Sequence, residues 1–538
     1  MDNPTNRLGR CLRIFSMGTA GLILLGSLIG VLGTLVLPSV ASAATPIMLY
    51  ASPNGSGTCT SSSSPCTLST AISTAGGGTS STSSTDQFTY LTPITGDSYM
   101  PVNPQRLVDT RCSTTPQPSY CSLENLPSAN ATLTSLAGGA SENVTVTGID
   151  GIPSNAMAVA INVTTVDMGS SEYLTIYPQG ANPAAASSLI WTASGGVVAN
   201  LVTVAVKMSS GEITVTNGGG SSVDYVVDIE GYYTPAGNTS TGLYNHVTPS
   251  RLADTRCSET SPPEYITSSY CASLPSPNSN LTTLGTGQIE NVTVTGVGGI
   301  PSSGVSAVVL NLIAIDPTHA GYLTVFPTGA AKAVVSTVDF NEGETVANRA
   351  IVKVGSNGQI SIYNNSGNTN FAVDVSGYYT DGSSSSQTGS LFNPVAPARI
   401  LDTRCSTTPQ PSYCSLENLP SANATLTAIP GSSSIAVQVA GEANIPADAT
   451  AVVGNLTATD GNGGGYLTTY TASTAFPTSG LSVSLPATSD VNFSTGSINA
   501  NMVVSGLSSS GGLEIANGGD HKVDALFDVS GWFTPKTS

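Results

Sequence analysis

A box of seven residues occurs three times at domain-sized intervals, and that repetition limits the chain to architectures made of three like units. The copies are Arg106-Leu107-Val108-Asp109-Thr110-Arg111-Cys112, Arg251-Leu252-Ala253-Asp254-Thr255-Arg256-Cys257 and Arg399-Ile400-Leu401-Asp402-Thr403-Arg404-Cys405, with Asp-to-Asp intervals of 145 and 148 residues. Solenoid repeats are far shorter than this, so each interval is a domain in its own right. Each unit closes on a matching signal: Asp228-Ile229-Glu230-Gly231-Tyr232-Tyr233, Asp374-Val375-Ser376-Gly377-Tyr378-Tyr379 and Asp528-Val529-Ser530-Gly531-Trp532-Phe533. The expected units are 98–235, 243–380 and 391–535, joined by short Gly/Ser-rich segments. With joints of that composition they are expected to behave as beads with limited mutual contact.

Inside each unit the apolar residues alternate in short β-branched runs, such as Ala158 to Thr164, Tyr173 to Tyr177 and Val202 to Val206 in the first. No run keeps helical spacing for three turns. Seven or eight such strands per unit, punctuated by Gly, Pro and Asn, predict an all-β chain of three tandem antiparallel sandwiches or jelly rolls.

Residues 1–43 read as an export signal. Arg7, Arg10 and Arg13 precede an apolar span from Ile14 to Val40, and Ala41-Ser42-Ala43 fits a cleavage site. An uncleaved anchor is the rival reading, because the span is long enough to cross a bilayer. Residues 44–97 form a leader and a Gly/Ser/Thr linker. Cys11 lies in the signal, and the other eight of nine cysteines fall into four close pairs: Cys59 with Cys66, Cys112 with Cys121, Cys257 with Cys271, and Cys405 with Cys414. Local disulfides are the simplest pairing in an exported chain, each contributing roughly 2–3 kcal/mol. With 33 acidic against 15 basic side chains and a formal charge of −18, nucleic acid and anionic membranes are excluded as expected partners. Secretion, to the medium or to a cell wall, is the expected location.

The ordered motifs resemble a β-rich repeat of secreted, cell-wall-associated actinobacterial proteins. They are Arg-Leu-x-Asp-Thr-Arg, Gly-Ile-Pro at 151–153 and 299–301 (Asn444-Ile445-Pro446 departs), Ala-Val-x-x-Asn, Tyr-Leu-Thr, Ala-Asn and Val-Asp-x-x-Gly-Tyr-Tyr. That repeat accompanies peptidoglycan amidases and glycosidases, so the resemblance implies an accessory surface domain. The start of the leader, Ile47 to Gly57 followed by Ser-Pro-Cys-Thr-Leu, is similar to the opening of pectate-lyase-like β-helix proteins.

Several residues are candidates for chemistry. Asp254 and Arg256 are near neighbours suited to a structural ion pair, and strand alternation places Arg251 on the opposite face. The same Arg111, Arg256 and Arg404 are the candidate ligand contacts. The terminal Asp228, Asp374 and Asp528 stand in apolar strands and are expected to pair with an Arg of the opening box, since a lone buried carboxylate is costly. Tyr233, Tyr379 and Trp532 are candidates for a carbohydrate-stacking platform; alternatively one ring of each aromatic pair is core and the other covers the domain end. Asn162, Asn311 and Asn455 are read as satisfied sheet residues. The histidines occupy non-matching repeat positions, no catalytic motif is present, and no catalytic residue is assigned. Asp167, Asp316 and Asp460 sit in Asp/Gly loops open to a Ca²⁺ reading; no other cofactor or metal is expected. The expected function is non-enzymatic binding of envelope or extracellular polysaccharide, with a polysaccharide hydrolase or lyase and a protein-directed adhesin as alternatives.

Overall fold

The computed structural model describes residues 12–16, 22–26, 49–51, 96–166, 172–181, 186–191, 196–237, 240–417, 419–471 and 488–536. The chain divides into two compact units, Met1–Thr95 with Thr537–Ser538, and Gly96–Lys536. In the first, β1 (Leu12–Ser16) pairs antiparallel with β2 (Leu22–Gly26) and β3 (Leu49–Ala51). The disulfide expected between Cys59 and Cys66 lies outside the described residues, and so does the expected cleavage site. No helix among the described residues is long and apolar enough to cross a membrane.

The second unit is all-β and holds three eight-stranded repeats. Repeat 1 comprises β4 (Asp97–Asp109), β5 (Ser141–Thr145), β6 (Ala158–Val166), β7 (Glu172–Pro178), β8 (Leu189–Trp191), β9 (Val198–Ala205), β10 (Glu212–Asn217) and β11 (Asp224–Pro235). Repeat 2 runs through β12 (Thr241–Asp254), β13 (Ile289–Thr293), β14 (Val305–Ile315), β15 (Gly321–Pro327), β16 (Val338–Phe340), β17 (Thr345–Lys353), β18 (Gln359–Asn364) and β19 (Asn370–Asp381). Repeat 3 runs through β20 (Ser390–Asp402), β21 (Ser433–Gln438), β22 (Ala451–Thr459), β23 (Gly465–Tyr470), β24 (Val491–Phe493), β25 (Asn499–Gly506), β26 (Gly512–Asn517) and β27 (Asp524–Pro535). In repeat 1 the sheets are ordered β4-β11-β6-β9 and β5-β10-β7-β8, and the other repeats follow the same order. All pairings are antiparallel. First strand beside last, third beside sixth, with the second sheet interleaved, is the jelly-roll winding.

The repeats are not beads. Alternate residues of β6 enter two different cores: Val159, Ile161 and Val163 pack inside repeat 1, whereas Ala158 and Ala160 face a core shared by all three repeats. Strands β14 and β22 divide likewise, with Ala307, Val309, Ala451 and Val453 in the shared core. A free sandwich wets its second face; here that face is apolar and needs a partner. The expectation of limited contact rested on linker composition, which says nothing about the faces being joined.

The shared core is aromatic. Tyr99, Tyr233, Tyr244, Tyr379, Phe392 and Phe533 are buried together, with Tyr244 stacked on Phe533 at 4.3 Å between centroids. The three inner sheets merge into one twelve-stranded sheet through single residue pairs, Phe392 with Asp97 and Tyr244 with Ser390. Gly231 explains the closing motif's glycine: a Cβ there would lie 2.2 Å from the Tyr99 hydroxyl, and one on Gly377 or Gly531 would lie 2.5 Å from the Tyr244 ring or 2.3 Å from the Phe392 ring. Only a residue without a side chain lets the ring lie flat on the strand.

Candidate functional site

The opening box folds as a strand end running into a single 3₁₀ turn. Asp109 caps that turn by accepting from the Arg111 N–H at 3.0 Å, and Asp254 and Asp402 do the same in their repeats. The capping carboxylate also takes the following arginine side-on: Arg256 donates through Nε at 2.9 Å and Nη2 at 2.6 Å to Asp254. The middle residue is used as well, because the Thr110 hydroxyl accepts the Tyr225 N–H at 3.0 Å and fixes the start of β11. The Asp254–Arg256 pair expected from the sequence is present. Alternation failed for Arg251, which donates to Asp254 at 3.2 Å, because the β12–β19 register shifts between Arg251 and Ala253.

The first arginine of each box holds the terminal aspartate, as the lone-carboxylate argument requires. Arg106 donates to Asp228 at 2.8 and 3.2 Å, and Arg399 to Asp528 at 2.7 and 2.9 Å. In repeat 2 the partner of Asp374 is Arg251, at 2.9 Å through Nη2. These are bidentate, largely dry pairs. Burial opposes the Arg106 charge, yet Asp228 and Glu124 hold its pKa above the ordinary value. Burial in turn pushes the Asp228 carboxyl up despite Arg106.

The same aspartates reach into the next repeat. Asp374 accepts the Ser489 N–H at 3.0 Å and Asp528 accepts the Ser187 N–H at 3.3 Å. Beside them, Asn162 donates to the Ser336 carbonyl at 2.8 Å, Asn455 to the Ser187 carbonyl at 2.7 Å, and Asn311 to the Ser489 carbonyl. A second asparagine ring completes the circuit. The Leu201, Arg349 and Met502 N–H groups donate to Asn348, Asn501 and Asn200 at 3.0, 2.9 and 2.9 Å. Asn162, Asn311 and Asn455 are therefore satisfied, but by the neighbouring repeat.

Each repeat junction leaves an open cleft between the opening box of one repeat and the Tyr-Leu-Thr strand of the next. Between repeats 1 and 2 it is walled by Arg111, Tyr120, Tyr322 and Asp339, with a volume of about 270 Å³. Between repeats 2 and 3, Arg256, Tyr265, Tyr270 and Tyr466 enclose about 660 Å³. Between repeats 3 and 1, Arg404, Glu417, Tyr173 and Thr175 enclose about 560 Å³. The box wall is stapled by the predicted disulfides Cys112–Cys121, Cys257–Cys271 and Cys405–Cys414, each with Cα atoms 5.5 Å apart. The fourth expected pair, Cys59 and Cys66, falls in the leader sequence, outside the described residues.

Arg111 lies 5.1 Å over the Tyr120 ring and Arg256 5.5 Å over Tyr265, so guanidinium and aromatic faces form one surface. Among the described residues, seven large hydrophobic side chains are exposed, and four of them, Tyr120, Tyr173, Tyr265 and Val334, line these clefts. The arginines bring little free positive charge, because each donates to a carboxylate of its own repeat. Glu124, whose carboxyl burial raises to about 7 against the pull of Arg106, occupies the place that Tyr270 takes in repeat 2.

Arg111, Arg256 and Arg404 thus stand on cleft walls. Tyr233 and Tyr379 do not: both are fully buried in the shared core, hydroxyl to hydroxyl at 2.8 Å, and present no face to a sugar. Trp532 packs half-buried on the core of its own repeat and lines none of the three clefts. The pairs split as the alternative held, with Tyr232, Tyr378 and Trp532 over their sandwiches and Tyr233, Tyr379 and Phe533 inside. Asp316 and Asp460 hold turns at φ 47° and 54°, and among the described residues neither gathers with two further metal-ligating side chains. Asp167 lies outside the described residues.

Sequence reasoning missed Arg349 and Asp490. Arg349 is buried and bonds Asp490 of repeat 3, the Met502 carbonyl at 3.1 Å and the Ser376 hydroxyl at 3.3 Å. Its counterparts by hydrogen-bond position are Leu201 and Met502, and those of Asp490 are Ser188 and Thr337. One repeat gaining an Arg while the next gains an Asp is a signal that aligning the repeats exposes.

No protein-family model matches the chain, and no curated protein matches it. Among solved structures, it is similar to the "atomic structure of Sulfolobus Turreted Icosahedral Virus", with 9% identity, 82% of this chain and 92% of that one covered, and a TM-score of 0.15. It is likewise similar to "The Triple Jelly Roll Fold and Turret Assembly in an Archaeal Virus", with 9% identity, coverage of 84% and 93%, and a TM-score of 0.15. At that score neither likeness carries weight for the fold or the function.

Proposed function

We propose that this is a secreted, non-enzymatic binding protein of the cell envelope or its surroundings, holding uncharged polysaccharide in three inter-repeat clefts. The observation that carries the reading is the gathering of exposed aromatic faces at all three junctions. Sugar rings present C–H faces that pack on aromatic rings and hydroxyls that bond to amides and hydroxyls. With the cleft guanidinium groups committed to carboxylates and no lysine among the described residues that line the clefts, an anionic polymer meets little counter-charge there, and the chain's own charge of −18 repels it. Three spaced sites give avidity to a polymer that each holds weakly.

Catalysis is disfavoured by the same geometry. The terminal aspartates are clamped by arginine, and the box-wall glutamates whose carboxyls burial pushes up, Glu124 and Glu417, give way to Tyr270 in the middle cleft. A shared hydrolytic mechanism would need a common acid.

Sedimentation with insoluble neutral and acidic polysaccharides tests the reading. The intact protein is expected to pellet with a neutral polymer, and the Tyr120→Ala/Tyr173→Ala/Tyr265→Ala variant, which removes the exposed ring of each cleft and is checked for folding by circular dichroism, to stay in solution. Equal pelleting of both proteins, or pelleting of neither, would count against it.

A further inference from the structure

From the contacts between repeats we infer that each repeat is a protomer of a closed threefold ring, and that its binding partner is another copy of the same kind of repeat. The linkers tether the ring without holding it. The contacts are heterologous and run one way round. Asn348 of repeat 2 donates to Asn162 of repeat 1 at 2.7 Å, Asn501 of repeat 3 to Asn311 of repeat 2 at 2.8 Å, and Asn200 of repeat 1 to Asn455 of repeat 3 at 2.8 Å. The third of these junctions has no linker, yet it is built like the other two. Every repeat therefore carries both halves of the clasp, and a heterologous contact that closes after three steps is the signature of cyclic assembly.

Two further features agree. Gly96, Gly242 and Gly389 enter the opening strands, and a Cβ on each would strike the opening strand of the preceding repeat, at 2.7, 2.3 and 2.7 Å. The inner-sheet edges β9, β17 and β25 are closed by the next repeat's asparagine instead of by solvent. Each cleft takes one wall from each of two repeats, so a lone repeat holds only half-sites.

The test uses the full chain with protease recognition sequences placed between Gly237 and Ser240 and between Ser384 and Ser385, and does not involve any glycan. After complete cleavage, analytical ultracentrifugation at micromolar concentration is expected to give one species with the mass of the uncut chain. Fragments that separate, folded or not, overturn the inference. In the cut protein, Asn200→Leu with Asn455→Leu is expected to weaken reassembly by roughly tenfold or more; unchanged association overturns it as well.

Discussion

Two buried polar groups in the shared core run against its chemistry. The Tyr99 hydroxyl is buried without a hydrogen-bond partner, whereas repeat 3 places Phe392 at the matching position. Tyr99→Phe is accordingly expected to stabilise the protein by about 1 kcal/mol, read from chemical denaturation. Glu230 replaces Ser376 and Ser530; burial raises its carboxyl to about 8, and the Ile351 N–H it accepts at 2.7 Å lowers it only in part. A carboxyl whose folded pKa is raised keeps its proton where the unfolded chain has lost it. Its contribution is thus whole below about pH 4.5 and lost as the pH rises toward about 8. Glu230→Gln should keep the acceptor and flatten that slope, with a gain on the order of a few kcal/mol at pH 8. An unchanged slope in melts from pH 4 to 8 would place the titration elsewhere, Asp97, raised by burial to about 7, being the first alternative.

Among elements, the recurring letters serve junctions. Removing the terminal carboxylate with Asp374→Ala takes the acceptor from Nε and Nη2 of Arg251 and from the Ser489 N–H, and is expected to cost roughly 3–5 kcal/mol. The single variants Arg349→Leu and Asp490→Ser should each destabilise by a similar amount. The pair together, which restores the pattern of Leu201 with a hydroxyl, should recover most of the loss. A double variant no better than the singles would mean that the ion pair is not the coupled unit. This scale also marks how far the sequence could be read. Alternation gave the strands, and the lone aspartate in an apolar strand pointed to its arginine. The stacking platform at Tyr233 and Tyr379 failed because an aromatic pair at a strand end looks alike whether its rings meet solvent or another repeat. The clefts stayed hidden because Tyr322 and Arg111 are about two hundred residues apart in sequence and meet only across a junction.

At the scale of the whole molecule, three jelly rolls form one ring because their inner faces are apolar on both sides of the sheet. The signal lay in Ala158 and Ala160 alternating with Val159, Ile161 and Val163, a strand whose second face starts apolar and turns polar only at Asn162 and Thr164, all of them buried. Ring closure unites the satisfied edges, the buried aromatics and the three clefts, so it is the claim to test first. The most direct measurement is residue-resolved hydrogen exchange at Leu201, Arg349 and Met502, whose N–H groups point off the edges of β9, β17 and β25. In a closed ring these three amides are protected as well as those of the central strands β11, β19 and β27. If they exchange as fast as exposed loop amides such as Ser384, the repeats are separate beads and the ring is contradicted.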